Sequence, residues 1–304
     1  MFHLITILGP TATGKTTLAC HLAALLQGEI ISADSRQVYR GMDLGTGKDL
    51  SDFHLKDYDV PYHLIDVVDP GYEFNVFEFQ QHVARALEIV EHNGRLPILC
   101  GGSGLYLDAV LRGYQLQRVP ENKVLREFFE TLSMESLTRK LKSYGPVHNT
   151  TDINDRRRLI KAIEIAEHHI NHPKPDFIMP RVSSINFGLH FERQQLRDRI
   201  TQRLKQRLEE GMVDEVRNLL SSGLLPEQLK FYGLEYRLIT QYVMGELTYN
   251  EMFELLNTAI HQFAKRQMTW FRRMENGGVR IHWINGNINL EEKLATILSF
   301  LPKT

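Results

Sequence analysis

The sequence predicts an α/β fold in which a parallel sheet is flanked by helices, with a small helical lobe inserted into the core. Over the first hundred residues, short apolar strands alternate with amphipathic helices, which is the pattern of a doubly wound sheet. A glycine-rich turn joins the first strand to the first helix, and another follows a later strand. Beyond Gly113 the strand pattern gives way to helical periodicity, and it returns at Ser184.

Each element is predicted from its apolar spacing and from the residues that bound it. Apolar runs between polar turns predict strands at 4–8, 29–33, 62–67, 96–99, 184–191 and 279–284. Apolar positions three and four residues apart predict helices at 16–26, 76–92, 123–132, 134–143, 155–168, 194–210, 212–221, 236–244 and 250–274, with a closing helix after the last strand. Asn75 is the expected N-cap of the helix at 76–92, and Gly94 lies just past its end.

The turn after the first strand carries the most specific motif. It reads Gly9-Pro10-Thr11-Ala12-Thr13-Gly14-Lys15-Thr16, which has the spacing of a P-loop. The glycines let backbone N–H groups surround an oxyanion, Lys15 adds a positive charge, and the Thr16 hydroxyl is placed to hold Mg²⁺. The following helix points its positive end at the same anion. The chain is therefore predicted to bind a diphosphate or a triphosphate.

The interruption of the strand pattern defines the predicted domains. Residues 1–115 together with 180–304 are expected to form a core with a sheet like that of the P-loop NTPases. Residues 116–179 are expected to form the inserted helical lobe. Pro173 and Pro175 close this lobe, because proline interrupts a helix.

Composition and charge exclude several classes of protein. With 42% hydrophobic and 24% charged residues, the 304-residue chain has the composition of a soluble globular protein. Its net charge of −1 does not indicate a nucleic-acid binder, although basic residues cluster beyond the midpoint and can form a basic face. No apolar run reaches the ~20 residues of a membrane span, and the start of the chain is expected to be a buried strand rather than a signal peptide. Cys20 and Cys100 are expected to be buried thiols in a reducing cytoplasm.

Two polar loops follow predicted strands and are candidates for chemistry. Asp34 ends a buried strand, and its carboxylate has three open roles: to bind Mg²⁺ through water, to act as a general base, or to cap the turn at Ser35. In Gly101-Gly102-Ser103-Gly104 the glycines permit close approach of a ligand, which the Ser103 hydroxyl can contact. Because ligands bind at the carboxyl ends of parallel strands, both loops are expected beside the P-loop.

Two basic segments in the second half have two interpretations each. Arg199, Arg203 and Arg207 form a row on one helix, and their spacing alone favours a solvated helix face. The segment Gln262–Arg273 interleaves aromatic with basic residues. This composition suits phosphate contact and base stacking, or an amphipathic core helix with Phe263, Trp270 and Phe271 turned inward.

Together these segments closely resemble the tRNA dimethylallyltransferase family of bacterial type, also called isopentenyl-diphosphate:tRNA transferases. The matching segments are Gly9–Thr16, Ala33–Thr46, His63–Pro70, Leu96–Tyr106, Asn154–Glu164, Gly211–Val216 and Ala264–Arg273. The resemblance implies transfer of a dimethylallyl group from dimethylallyl diphosphate to N6 of adenosine 37 in the tRNA anticodon stem-loop, with release of diphosphate. It also implies Mg²⁺ as cofactor, a cytoplasmic location and a monomer.

The resemblance assigns roles to particular residues. Asp34 would take the proton from the amine, Ser103 would line the channel between acceptor and donor, and Arg203 would contact the diphosphate. For Arg203 this replaces the interpretation as a solvated helix face. The residues predicted to contact tRNA are Asp34, Ser35, Arg36, Gln37, Ser103, Arg126, Arg157, Arg158, Leu159, Ile160, Lys161, Lys265 and Arg266.

The sequence departs from the pattern of the family at several positions. Thr46-Gly47-Lys48-Asp49 stands where Thr-Ala-Lys-Pro is expected, and Gly233-Leu234-Glu235-Tyr236 replaces an Ile-Gly-Tyr. Lys161 replaces an arginine, and Ile260-His261 replaces a Thr-Arg pair. These changes spare the P-loop and leave an altered range of tRNA substrates open. The alternatives are a P-loop kinase acting on a small substrate, a catalytically weak tRNA-binding paralogue, and an enzyme that prenylates free adenylate.

Overall fold

The computed structural model describes residues 2–120, 122–145, 153–174 and 177–301. Contacts between residues divide the chain into a larger unit, which runs to Tyr114 and resumes at Met179, and a smaller unit, Gln115–Ile178. In the described ranges we find no helix with the length and apolar character that crossing a membrane requires.

Parallel strands form the sheet of the larger unit. The strands are β1 (Phe2–Leu8), β2 (Gly28–Ser32), β3 (His54–Leu55), β4 (Tyr58–Asp59), β5 (Tyr62–His63), β6 (Leu96–Gly101), β7 (Val182–His190) and β8 (Ile281–Asn285). Six of them form one parallel sheet in the order β5-β2-β6-β1-β7-β8, whereas β3 and β4 pair separately as an antiparallel ribbon. The predicted α/β class with a parallel sheet flanked by helices is confirmed.

The central position of β1 explains its continuous apolar sequence. Leu8, the last residue of β1, lies in register with Gly101 of β6 and Gly188 of β7. Residues 4–8 of this strand are all buried, and because successive side chains of a strand point to opposite faces, the sheet is covered on both faces here. The loop that follows Leu8 therefore leaves from the middle of the carboxyl edge of the sheet.

β5 is shorter than the strand predicted at 62–67. Leu64 and Asp66 have φ angles of 64° and 55°, which lie in the left-handed region. Because extended backbone needs a negative φ, the strand ends at His63. Apolar periodicity does not report this change of backbone conformation.

Helices cover the sheet and form the smaller unit. They are α1 (Lys15–Leu26), α2 (Val76–His92), α3 (Gly104–Leu111), α4 (Lys123–Glu130), α5 (Met134–Ser143), α6 (Arg156–Asn171), α7 (Arg193–Glu209), α8 (Met212–Ser221), α9 (Pro226–Leu229), α10 (Leu234–Val243), α11 (Tyr249–Asn276) and α12 (Leu290–Ser299). The helices α2, α5 and α8 begin and end where the periodicity predicts. Asn75 caps α2 by accepting the N–H groups of Phe77 and Glu78, which confirms that prediction.

Among the described residues, two clusters of apolar side chains contribute to the core of the larger unit. One lies around α1 and the sheet and includes Leu18, Ile98 and Phe187. The other joins α7, α8, α10 and α11 to the segment after β2 and includes Tyr39 and Tyr236. Cys20 and Cys100 are free and buried, as predicted.

The smaller unit has a core of its own. Phe129, Leu137, Leu159, Ile160 and Ile163 are buried together between α4, α5 and α6. Helix α6 ends at Asn171, shortly before Pro173, and Pro175 lies outside the described residues. The prediction that Leu159 and Ile160 contact tRNA is corrected for their side chains, because both are turned into this core.

Candidate active site

Three neighbouring strands bring the predicted loops to one edge of the sheet. The P-loop follows β1, the Asp34 loop follows β2, and Gly101–Gly104 follows β6, which lies between them. The N–H of Ala33 donates to the carbonyl of Cys100 at 2.7 Å, and the N–H of Ser103 donates to the carbonyl of Ala33 at 3.3 Å. The loops after β2 and β6 are therefore joined directly by backbone hydrogen bonds.

The P-loop has the conformation of an anion cradle. Ala12 and Gly14 have φ angles of 62° and 78°, and α1 begins at Lys15. The hydroxyl of Thr13 and the ammonium of Lys15 both donate to the carbonyl of Pro10, at 2.8 Å and 2.9 Å. Burial lowers the pKa of Lys15 to about 8. The ammonium at the start of α1 is therefore still charged at neutral pH and adds to the positive end of the helix.

Asp34 caps its own turn but uses only one oxygen to do so. Its Oδ1 accepts the N–H of Arg36 at 2.9 Å, so the capping role considered in the sequence analysis is real. Among described residues Oδ2 has no hydrogen-bond partner. The Oγ of Ser103 accepts the N–H of Ser35 at 3.0 Å. The carboxylate is thus held on a fixed turn, with one oxygen free to take a proton.

The glycines around Ser103 leave room for side chains of helix α11. A Cβ on Gly102 would lie 2.5 Å from Nε2 of Gln267, and one on Gly104 would lie 2.3 Å from the ring of Trp270. The expected close approach of a ligand to these glycines stays a prediction. Gln267, which no motif singled out, donates to the carbonyl of Gly102 and accepts the N–H of Thr11, both at 2.9 Å. One buried amide therefore ties α11 to two of the loops.

The arginine row of α7 faces the P-loop. Nε of Arg199 donates to the carbonyl of Ala12 at 2.9 Å, and NH1 of Arg203 lies 3.4 Å from the hydroxyl of Thr11. Burial lowers the pKa of Arg203, but a guanidinium stays charged in proteins. The interpretation of the row as a solvated helix face is wrong for Arg203, which is half-buried and reaches the cradle, whereas Arg199 is exposed and reaches it as well.

Asp49 is a further member of the site that the sequence did not indicate. Its carboxylate accepts from NH2 of Arg203 and, at 2.7 Å, from NH2 of Arg207. The spacing of residues along the chain does not predict this contact, because Asp49 is about 150 residues away from both arginines. One carboxylate thus faces two cations at the mouth of the P-loop.

Buried charges hold the loop that carries Asp34. The ammonium of Lys48 is fully buried and donates to the carbonyl of Tyr39 and to Asp43, both at 2.6 Å, and also to Asp66. The carboxylate of Glu215 on α8 accepts the N–H groups of Asp43 and Leu44. Because these contacts satisfy buried polar groups, they make the loop rigid.

The residues predicted to contact tRNA divide by exposure. In the larger unit, Lys265 and Arg266 are exposed on α11, while Phe271 of the same helix is buried, which confirms that this helix is amphipathic; contact of the segment with RNA stays a prediction. Phe263, expected to point inward, is exposed. Gln37 is turned inward, where it donates to the carbonyl of Gly47 at 2.9 Å.

In the smaller unit, exposure again separates the predicted contacts. Arg157 and Arg158 are exposed at the start of α6. Arg126 pairs with Glu164 at 2.9 Å, and Lys161 lies 3.6 Å from the same carboxylate. Arg157 and Arg158 are therefore the most accessible cations of this predicted set.

The side chains at this edge suit a metal ion that is bound mainly by substrate phosphates, and not one that is bound mainly by protein ligands. Over the described ranges, no three His, Cys, Asp or Glu side chains are placed to bind a metal ion together. Magnesium in phosphate sites is held by few protein oxygens, with substrate phosphates and water completing the shell. The Thr16 hydroxyl at the start of α1 fits such a site. The fold and the site together have the features of the P-loop class of α/β proteins, in which a cradle of this kind holds phosphate groups.

Comparisons with known proteins identify the family. The chain matches the family model for IPP transferase over residues 37–274. It is 54% identical to tRNA dimethylallyltransferase 2 of Bacteroides fragilis, in an alignment that covers 96% of each chain. It is 52% identical to tRNA dimethylallyltransferase 1 of Parabacteroides distasonis, in an alignment that covers 99% of this chain and 98% of that one. The full-length tRNA isopentenylpyrophosphate transferase of Bacillus halodurans has a similar structure, with a TM-score of 0.71 and 33% identity over 99% of this chain and 95% of that chain. The chain belongs to the IPP transferase family, whose members include the tRNA dimethylallyltransferases.

Family membership confirms the resemblance seen in the sequence. It also confirms that the protein is an enzyme of the prenyltransferase class. The small-substrate kinase is not supported, because the family match includes α7 and most of α11, for which a kinase gives no role.

Proposed function

We propose that this protein transfers a dimethylallyl group from dimethylallyl diphosphate to N6 of adenosine 37 in tRNA and releases diphosphate. The observation that carries the proposal is the gathering of the P-loop, Asp34, Ser103 and Arg203 at one edge of the sheet in an enzyme of this family. In the reaction, a bond forms between N6 and the allylic carbon, and the bond from that carbon to the diphosphate oxygen breaks.

The donor end of the site is the P-loop. An allylic carbon separates from diphosphate once the negative charge that develops on the leaving group is neutralised. The backbone N–H groups of the cradle, the ammonium of Lys15 and the guanidinium of Arg203 are placed to do this. Magnesium held by Thr16, when bound, neutralises a further part of the same charge.

The acceptor end is the turn that carries Asp34. An exocyclic amine is a weak nucleophile, since its lone pair is delocalised into the ring, so a base that removes its proton assists the attack. Oδ2 of Asp34 is free for this proton, while Oδ1 is kept in place by Arg36. Ser103, bonded to the next residue, lines the path between the two substrates. The target base must be unstacked to reach it, which costs about a few kcal/mol.

The tRNA surface is proposed from exposed cations. Lys265 and Arg266 on α11, and Arg157 and Arg158 on α6, are free to reach phosphates of the anticodon stem-loop. We assign residues 116–179 to a tRNA-contacting lobe and residues 1–115 with 180–304 to the catalytic core. Ser35, Arg36, Arg126 and Lys161 complete the proposed contact set.

Two further features belong to the proposal. Free, buried thiols at Cys20 and Cys100 suit a reducing cytoplasm, where the tRNA substrate is also found. We propose that the enzyme acts there as a monomer, which the elution volume of the purified protein checks.

The test is transfer of label from dimethylallyl diphosphate in the presence of Mg²⁺. We expect label in tRNA that has adenosine at position 37, none in tRNA with guanosine there, and none in free AMP. Asp34→Asn is the informative variant, because asparagine can still accept the Arg36 N–H but cannot take a proton. It should abolish transfer and leave tRNA binding intact.

Other outcomes point elsewhere. Label in AMP but not in tRNA would identify an enzyme that prenylates free adenylate. Tight tRNA binding without any transfer by the wild type would identify a catalytically weak paralogue. Consumption of ATP without release of diphosphate from the prenyl donor would identify a kinase.

A further inference from the structure

Asp49 stands between two arginines at the mouth of the P-loop. One of its carboxylate oxygens accepts from Arg203, and the other accepts from Arg207 at 2.7 Å. The side chain of Arg207 is 12% exposed and that of Arg203 is 30% exposed, so neither cation is fully hydrated. The Asp49 side chain is 37% exposed, so water screens these charges in part, and their attraction is stronger than that of a fully exposed pair.

Arg207 is anchored independently of Arg203. Its NH1 donates to the carbonyl of Leu44 at 3.0 Å. A Cβ on Gly47 would lie 2.6 Å from the same NH1, so the guanidinium lies against a residue that has no side chain. The segment from Leu44 to Asp49 is thus wrapped around Arg207, and this contact sets the position of the Asp49 carboxylate.

Arg203 is the member of the pair that reaches the phosphate cradle. Its NH2 faces Asp49, and its NH1 lies 3.4 Å from the Thr11 hydroxyl in the P-loop. The nearby charge of Arg207 repels it, which adds to burial in lowering the pKa of Arg203. Without a negative charge between them, the two guanidinium groups would move apart. Arg203, the less anchored of the two, would leave the cradle.

We propose that Asp49 is a positioning residue for the prenyl donor: anchored by Arg207, it holds Arg203 at the P-loop, ready for the diphosphate. This proposal rests on the proposed function, because it needs a diphosphate in the cradle. Asp49 itself touches no reacting atom. The contrary possibility is that Asp49 competes with the diphosphate for Arg203, and it predicts the opposite change in donor affinity.

Asp49→Asn is the variant that isolates the charge. Asp49 has a φ of 43°, a left-handed conformation that asparagine adopts readily, so the backbone is kept while the charge is removed. We expect the KM for dimethylallyl diphosphate and the Kd for inorganic pyrophosphate to rise about tenfold. The KM for tRNA should stay within about twofold, because Asp49 acts at the donor end only.

Two comparisons separate positioning from a general loss of structure. Asp214→Asn removes the acid of an exposed pair with Arg217 on α8, also 2.7 Å long, and should change neither KM. In an Arg203→Ala background, Asp49→Asn should add no further increase in donor KM, because residues that act through one another are not additive. Asp49→Glu keeps the charge and should retain part of the donor affinity that Asp49→Asn loses.

Each remaining outcome counts against the proposal. An unchanged or lower donor KM in Asp49→Asn overturns it, as does an effect that adds fully to that of Arg203→Ala. Should Asp49→Asn not fold, Gly47→Ala displaces the Arg207 guanidinium while keeping both charges, and an unchanged donor KM there overturns the proposal as well. Failure of the wild type to bind pyrophosphate or transfer the prenyl group refutes the proposed function instead, so the two failures are distinguishable.

Discussion

The side-chain oxygen of Gln267 accepts the backbone N–H of Thr11 at 2.9 Å, although the two residues are 256 positions apart. The same amide donates to the carbonyl of Gly102, so it satisfies groups on two loops at once. Because Gln267 is buried, each of these groups would lose its partner if the amide were removed. The long helix α11 is thereby part of the phosphate cradle, and not only of the proposed RNA surface.

Removal of this amide tests the link between α11 and the cradle. Gln267→Ala leaves the Thr11 N–H and the Gly102 carbonyl without partners and should lower the free energy of unfolding by about 1–3 kcal/mol. It should also raise the KM for the donor, since Thr11 belongs to the P-loop. Urea denaturation and steady-state kinetics measure the two effects. Gln262→Ala, at an exposed position of the same helix, is the control and should change neither.

Donor binding should depend on pH through Lys15. Burial lowers its pKa from 10.5 to about 8, so the ammonium is charged at pH 7 and loses its proton as the pH rises through about 8. We expect the affinity for pyrophosphate, measured by calorimetry, to be level near pH 7 and to fall above pH 8. Lys15→Arg keeps its charge over this range and should remove that fall. A wild-type affinity that is unchanged between pH 7 and pH 9 would contradict the assignment.

The start of α6 should contribute electrostatically to tRNA affinity. Arg158 is exposed, so Arg158→Ala should weaken tRNA binding and reduce the slope of log K against log salt by about 1. Filter binding at several salt concentrations measures both quantities. Arg139→Ala, which removes an exposed arginine from α5, serves as the matched control. Equal slopes for wild type and Arg158→Ala would remove this residue from the interface.

Metal dependence should trace to the hydroxyl of Thr16. Chelation with EDTA should stop prenyl transfer, and added Mg²⁺ should restore it. Thr16→Ala should raise the Mg²⁺ concentration needed for half-maximal activity by about tenfold, the lower end of the effect of losing one metal contact. Thr16→Ser keeps the hydroxyl and should behave like the wild type. Full activity in EDTA would show that the diphosphate leaves without a metal ion.

Local chemistry explains which elements could be predicted closely. The sequence predicts both ends of α2 correctly, because an asparagine cap, an apolar stripe and a terminal glycine all lie within or next to this segment. The P-loop was recognisable for the same reason, since its backbone conformation depends on eight consecutive residues. By contrast, α9 has four residues, which is too short for any periodicity to show.

The arginine row shows where local reasoning ends. Helical spacing places Arg199, Arg203 and Arg207 on one face of α7, but it does not say what that face meets. The structure places it against Ala12, Thr11 and Asp49. Likewise, periodicity could not show that Leu159 and Ile160 are buried in the smaller unit while the neighbouring Arg158 is exposed.

The sequence by itself determined the α/β class, the P-loop and the family, because each is written in the order and spacing of neighbouring residues. Only the tertiary structure decided that Gln267 completes the cradle and that Asp49 lies between two arginines. It also decided that the glycines beside Ser103 make room for α11. These relationships join residues more than a hundred positions apart. Their geometry follows from how the helices pack on the sheet, which no single segment encodes.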